Sequence, residues 1–454
     1  MLDVALPSRS NTPVTVAPPP PRAPAGMRAL APDAAVLLAE RGARLLAGLV
    51  VAVLCARILG PEGYGLYTYA LSLVALFSFL GQAGLEQILV RELVRRSAVP
   101  EPTLAAAFLL RAAGAVGTAV LAVLTAGATS STELPATLLV SLLALSGLLQ
   151  ASHVLDAWLQ AQRAFRPSAA VKTTSAIVAA LARVAAALSP APLLALALVS
   201  LAEAALTGAL LWRAATQRGL QVRHSFHTFD REELRRLWLL ARPMLISSFA
   251  VALYARGDVF LLGQLSTRSE VGQYSAATSL SEVFYVLPIA LMTAASPRLT
   301  ALHQADPQGF RRECLKLVRY SSIAGFTLAI AVSLLSSKIV ALIYGPAFTR
   351  APAMLAIHTW STWMVFISVA SEPWYLNLGL QRYYVGKTAI AAAVNLILNV
   401  FLIPRYGGVG AAIATVASYA LSAFGCNVLW HDTRPLFLLQ LRAMLTLPSP
   451  FRRA

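Results

Sequence analysis

The chain has 454 residues, 57% of them hydrophobic and only 13% charged, with a mean hydropathy of +0.67. So few charges cannot coat a soluble globule of this length, which excludes an ordinary soluble enzyme or binding module and points to a membrane protein. A formal net charge of +17 would mark a soluble chain as a nucleic-acid binder. Here the positions of the basic residues give a different reason for it.

Residues 1–33 carry the run APPPPRAPAG and too little apolar sequence to bury, so a disordered cytoplasmic tail without a signal peptide is expected. Apolar runs of about 20 residues follow, the length that crosses about 30 Å of hydrocarbon at 1.5 Å per residue. Twelve are expected, near 34–58, 66–90, 103–127, 136–160, 169–189, 191–212, 241–263, 276–297, 319–343, 353–377, 386–403 and 409–430. The first six form an N-terminal bundle over 34–213, a cytoplasmic connector occupies 214–240, and the last six form a C-terminal bundle over 241–430. Within the connector, DREELRRLW reads as an amphipathic helix start capped by Asp230. Residues 431–454 form a second cytoplasmic tail, whose run LFLLQLRAMLTLP is too short to span and is expected to lie along the inner surface. The fold class is an all-α polytopic membrane protein with about 12 transmembrane helices in two six-helix bundles.

With the N-terminus in the cytoplasm, twenty-seven Lys and Arg fall in cytoplasmic segments and three, Arg268, Arg350 and Arg405, in outer loops. That asymmetry places both termini in the cytoplasm. It also accounts for the net charge, so no nucleic acid is expected as a partner.

The stretch Arg57–Leu73, RILGPEGYGLYTYALSL, carries an internal repeat. Gly65, Tyr67, Thr68, Ala70, Ser72 and Leu73 align at a constant offset of 207 with Gly272, Tyr274, Ser275, Ala277, Ser279 and Leu280. Both copies follow the first span of a six-span half, so the halves are parallel repeats, a transporter-like plan. Gly60, Pro61, Gly63 and Gly65 are expected to make a tight outer turn, and Tyr64, Tyr67 and Tyr69 to anchor it at the headgroup layer.

Ionisable side chains inside a span cost about 2.5–3.5 kcal/mol on insertion scales unless they pair or face water. Arg111, Arg183 and Arg256 sit in apolar spans with no acid three or four residues away, so each needs a partner on another helix or a water-filled cavity. Arg57 either snorkels to the outer surface or faces a cavity mouth. Asp258, Glu282 and Lys338 form either a pairing set or a coupling-ion site. Glu372 precedes Pro373 and either stabilises a kink or holds an ion or proton. Three scattered cysteines, no HExxH, no Walker A sequence and no GxSxG leave no catalytic residue, metal or cofactor to expect. The short outer loops also disfavour a membrane polymerase or ligase.

Four stretches together, RILGPEGYGLYTYALSL, Arg256–Pro288 with RGDVFLLG and VGQYSAATSLSEVFYVLP, YGPAFTRAPAML and NLILNVFLIPRYGGVGAAIATVASY, resemble the polysaccharide biosynthesis flippases. These form the Wzx-like branch of the multidrug/oligosaccharidyl-lipid/polysaccharide exporter superfamily, and the resemblance covers about 34–430. It implies two bundles around a central cavity that opens alternately to each side of a bacterial inner membrane. The cargo implied is an undecaprenyl-pyrophosphate-linked sugar unit for O-antigen or capsule, a polyprenyl-pyrophosphate-linked glycan drawn from membrane lipid and passed to a polysaccharide polymerase. On that reading Arg57, Arg111, Arg183 and Arg256 are candidate pyrophosphate ligands. The alternative within the superfamily is a cation-coupled multidrug exporter, which the acids Asp258, Glu282 and Glu372 would serve.

Overall fold

In hydrocarbon every backbone N–H and C=O must be satisfied within its own segment, so apolar runs of this length fold as helices. The computed structural model of the protein describes residues 27–82, 84–95, 101–129, 134–222 and 229–445. The expected tail falls outside the described residues over 1–26, while 27–33 already belong to the first helix.

Helix α1 (Met27–Phe77) breaks at Gly60, whose φ of 67° and ψ of 177° suit only glycine. Its limbs, 27–59 and 61–77, are the first two spans, so the expected turn is concentrated in one residue. Helices α2 (Phe79–Gln82) and α3 (Leu85–Arg95) extend the second limb. The N-lobe is completed by α4 (Glu101–Thr129), α5 (Leu134–Leu149) with a 3-10 turn at Gln150–His153, α6 (Val154–Ala161), α7 (Phe165–Ala187) and α8 (Pro192–Thr216). The C-lobe comprises α9 (Arg231–Leu265), α10 (Arg268–Glu282), α11 (Val286–Ala305), α12 (Pro307–Ile343), α13 (Ala351–Ala370), α14 (Glu372–Asn377), α15 (Gln381–Tyr406), α16 (Gly408–Ala420), α17 (Cys426–Leu429) and α18 (Arg434–Leu445). Among the described residues ten helices are long and apolar enough to cross a membrane, eleven with the bent α9. Separating the limbs of α1 gives the expected twelve.

Helix starts follow the local sequence. Asp230 accepts from the Glu232 amide at 2.8 Å to cap α9, as expected, and Asp306 accepts from the Gly309 amide at 2.8 Å to cap α12. The polar connector does not remain separate from the seventh span: α9 runs unbroken from Arg231 through Pro243 and bends by 41° between Ile246 and Ser248. The reason is tertiary. Arg236 pairs with Glu92 of α3 at 2.6 Å and with Glu233 at 2.6 Å, and Thr103 of α4 donates to Glu233 at 2.8 Å. These bonds dock the first half of α9 on the N-lobe, and α9 also packs against α15 of the C-lobe.

Three buried apolar clusters define the overall shape. One unites both lobes at the end away from the arginine-rich loops, joining Tyr69, Leu73 and Leu139 to Leu262, Tyr274 and Tyr344. At the arginine-rich end the lobes have separate cores. Leu89, Leu104 and Leu155 pack with Leu237 of α9 in the N-lobe, and Phe310, Trp374 and Leu436 pack together in the C-lobe. The lobes therefore meet at one end and part toward the other.

Two expectations need correction. Tyr64, Tyr67 and Tyr69 are buried rather than placed at a headgroup layer, because the repeat packs the lobes together and supplies their hydroxyls with internal partners. The terminal run does not simply lie on a surface. Helix α18 docks through Leu436 and Leu439, and its buried Gln440 donates to Ser371 Oγ at 2.9 Å and to the Ala423 carbonyl at 3.0 Å. Its other face leaves Leu438, Leu441 and Leu445 exposed.

Candidate functional site

The lobe seam is built from the repeat. Gly65 and Gly272 allow the second limb of α1 and α10 to touch backbone to backbone, and Thr68 Oγ1 accepts from Ser275 Oγ at 3.1 Å. Gln264 Nε2 donates to the Tyr69 hydroxyl at 2.5 Å, and the Arg268 guanidinium lies 4.3 Å from the centre of that ring. Arg57 is exposed and donates to the Leu342 carbonyl at 2.5 Å, satisfying one of the free carbonyls at the end of α12. It bridges the lobes at the closed end.

Where the shared core stops, charged side chains begin. Arg256 lies three residues before the buried Val259 of α9, and Glu282 lies two residues after Leu280 of α10. Both are exposed, and their charges act on each other. Asp258 points away from Arg256, as its two-residue spacing on a helix requires. It accepts from the Tyr274 hydroxyl at 2.5 Å and from the Val259 amide at 2.7 Å, and Tyr274 also lies 3.3 Å from Thr415 of α16. A carboxylate, a phenol and a hydroxyl thus tie three helices together.

The remaining candidates scatter. Arg183 of α7 forms an ion pair with Glu203 of α8, the partner on another helix that its span demanded. Arg111 is buried, and its Nη1 has no hydrogen-bond partner. Lys338 is exposed on α12 and, among the described residues, forms no ion pair with Asp258 or Glu282, whose partners are other groups. Glu372 stands at the break between α13 and α14 and accepts from the Tyr384 hydroxyl at 2.9 Å.

Two polar groups escape sequence reasoning. Glu270, buried near the closed end, accepts from Arg350 at 2.5 Å and from the Gly408 amide at 2.8 Å, capping α16 where Gly407 has φ 60°. Lys387, at the very start of the eleventh expected span, is 1% exposed; its Nζ lies 4.8 Å from the rings of Tyr375 and Tyr384 and donates to Ser368 at 3.2 Å. Its only sequence signal is the Tyr-Tyr pair that ends three residues before it. Asn395 and Asn399, noted as a one-face pair, bond each other at 3.0 Å, and Asn395 donates to Ser418 at 3.2 Å. They hold α15 to α16, which makes them packing residues.

Two helical lobes that share a core at one end and have separate cores at the other define a multi-pass membrane protein of transporter architecture. The chain belongs to the polysaccharide biosynthesis protein family, whose sequence profile matches residues 30–303, more than half of its length. It is similar to two proteins of Haloferax volcanii. It is 26% identical over 192 residues to the probable low-salt glycan biosynthesis flippase Agl15, covering 41% of this chain and 40% of that protein. It is 31% identical over 179 residues to the probable flippase AglR, covering 37% and 36%. The match thus spans about two fifths of each relative. The fold is similar to that of the lipid II flippase MurJ in an inward closed conformation, with TM-score 0.68, 13% identity and coverage of 89% of this chain and 91% of that one. It is also similar to an inward-facing multidrug resistance transporter of the MATE family within the MOP superfamily, with TM-score 0.66, 12% identity and coverage of 88% and 96%.

Proposed function

We propose that the protein is a flippase that moves a polyprenyl-pyrophosphate-linked glycan, an undecaprenyl carrier in a bacterial inner membrane, from the cytoplasmic to the outer leaflet by alternating access. The arginine-rich end is then cytoplasmic, with both termini there, and the cleft opens inward. The observation that carries this reading is Arg256, an exposed guanidinium on α9 three residues from the edge of the shared core, beyond which the lobes have separate cores. Pyrophosphate and sugar hydroxyls cannot cross hydrocarbon without hydrogen-bonding partners, whereas the polyprenyl tail can remain in lipid. A guanidinium binds pyrophosphate through charge-assisted, bidentate bonds. Arg256 is assigned to the inward-open site and Arg57 to the exit at the far end. Arg183, neutralised by Glu203, supports the N-lobe instead. Glu282 and Asp258 are assigned to a coupling cation or proton, and Glu372 to the helix break. No covalent step is involved, and the released glycan passes to a polysaccharide polymerase.

The test is the sidedness of undecaprenyl-linked sugar intermediates in sealed vesicles from a deletion strain, read with an impermeant probe. Accumulation on the cytoplasmic leaflet, relieved by the wild-type protein and not by an Arg256→Gln variant inserted at equal levels, is the expected result. Unpolymerised units on the outer leaflet would place the protein later in the pathway. Unaltered lipid intermediates, together with dye efflux on overproduction, would make it a drug exporter.

A further inference from the structure

Arg111 sits on α4 with 8% of its surface exposed, and its Nη1 has no hydrogen-bond partner. It borders a cavity of about 310 Å³ inside the N-lobe, between the second limb of α1, α2, α3, α4 and α5. A buried guanidinium N–H without an acceptor is costly, so Arg111, which lines the cavity, is left short of a partner by the protein itself. Gln82, Glu86 and Gln150 are exposed around the cavity, and His153 is half-buried. The cavity lies beside the lobe boundary, because α2 packs on α9 and the Phe79 ring lies 5.1 Å from that of Phe249.

Charge and size choose the ligand. Glu86 and Arg111 line the same cavity without forming an ion pair with each other, and Glu86 accepts only a bond at 3.1 Å from Gln160 among the described residues. A phosphate would meet repulsion from Glu86 as well as attraction to Arg111. A sugar hydroxyl both donates and accepts. One pyranose ring therefore takes N–H bonds from Arg111, gives a proton to a hydrogen bond with Glu86, and uses both ends of the Gln82 and Gln150 carboxamides. The volume stands at the small end of ligand pockets, about 300–1,000 Å³. It is roughly ten times one water's share of about 30 Å³, which suits a single ring rather than an extended chain.

We propose that this cavity is a subsite for one neutral pyranose of the lipid-linked glycan, with Arg111 and Glu86 holding its hydroxyls; the assignment rests on the flippase reading above. The test is saturation-transfer difference NMR on the full-length protein in detergent, with millimolar N-acetylglucosamine or glucose as probe and inorganic pyrophosphate as competitor. The ring protons of at least one sugar are expected to receive saturation from the wild-type protein. Arg111→Gln should weaken that binding about tenfold, the effect of losing one charge-assisted bond, and Gln150→Leu, at an exposed position that tolerates change, should weaken it several-fold. Pyrophosphate at equal concentration should leave the signal intact. No transfer to either sugar from cooperatively melting wild-type protein overturns the proposal. So does a signal indifferent to both variants, or displacement by pyrophosphate, which would make the cavity an oxyanion site. The leaflet assay run in parallel separates the two readings. A wild type that flips lipid-linked glycan yet binds no free sugar removes only the subsite, whereas sugar binding without flipping removes the flippase.

Discussion

Gly65 and Gly272 stand back to back at the lobe seam: a methyl group on Gly65 would run into the Arg268 carbonyl, and one on Gly272 into the Pro61 carbonyl. The two glycines are separated by the repeat interval of 207, as are their clash partners Pro61 and Arg268 and the bonded Thr68 and Ser275. Equivalent residues thus face each other across the axis relating the halves. Cysteines at Thr68 and Ser275 should therefore cross-link on mild oxidation, against a background of native thiols that are all buried. Adding Gly65→Ala should cut the yield several-fold, measured by peptide mass spectrometry. An unchanged yield would show that the seam does not depend on backbone contact.

The pair Arg183–Glu203 is partly shielded, with side chains 23% and 26% exposed. Breaking a fully buried pair costs about 3–5 kcal/mol, and exposed pairs contribute about 0–1 kcal/mol. Each single variant, Arg183→Gln or Glu203→Gln, should therefore lower stability by about 2 kcal/mol. The double variant should cost less than the sum of the two, read as a double-mutant cycle on thermal melts. Additive losses would mean that the two charges act independently.

Arg236 serves two buried carboxylates, Glu92 at 2% and Glu233 at 6% exposure. Arg91 and Arg95 also approach Glu92, at 3.3 and 3.7 Å, so Arg236→Ala should bear chiefly on Glu233, which keeps the Thr103 hydroxyl but loses the guanidinium. The expected cost is about 2–3 kcal/mol, with faster amide exchange confined to the first half of α9. Lysine should restore only part of it, since an ammonium cannot span both acids as a guanidinium does. Exchange that remains slow in the alanine variant would leave the docking of α9 to its leucines alone.

Lys387 lies between two tyrosine rings with a hydroxyl for a partner and no ion pair among the described residues. Removing an unpaired buried charge while keeping its volume should be neutral or stabilising. Lys387→Met is thus expected to hold or raise Tm. A loss of several degrees would show that the ammonium, rather than its methylene stem, holds that part of the C-lobe.

Much of the fold was legible because lipid enforces local rules. Asp230 announces the start of α9, Asn395 and Asn399 share a face by spacing alone, and the glycine-rich stretch marks the first turn. The candidate site was less legible. A lone arginine in an apolar span reads the same whether it meets Glu203, as Arg183 does, or an open cavity, as Arg111 does. The tyrosines of the repeat misled because an aromatic beside a turn is equally suited to a headgroup layer and to a packed seam.

The sequence by itself determined the helical class, the twelve spans and their order, the asymmetry of basic loops and the parallel repeat. Each of these depends on composition and spacing within one segment or on a comparison of two segments. Only the tertiary structure decided that the lobes share a core at one end and have separate cores at the other, that α9 packs on both lobes, and that Arg256 stays exposed while Arg183 is neutralised. Periodicity fixes which residues share a helix face, but a charge in hydrocarbon is satisfied by whatever another helix presents to that face, and packing alone sets that pairing.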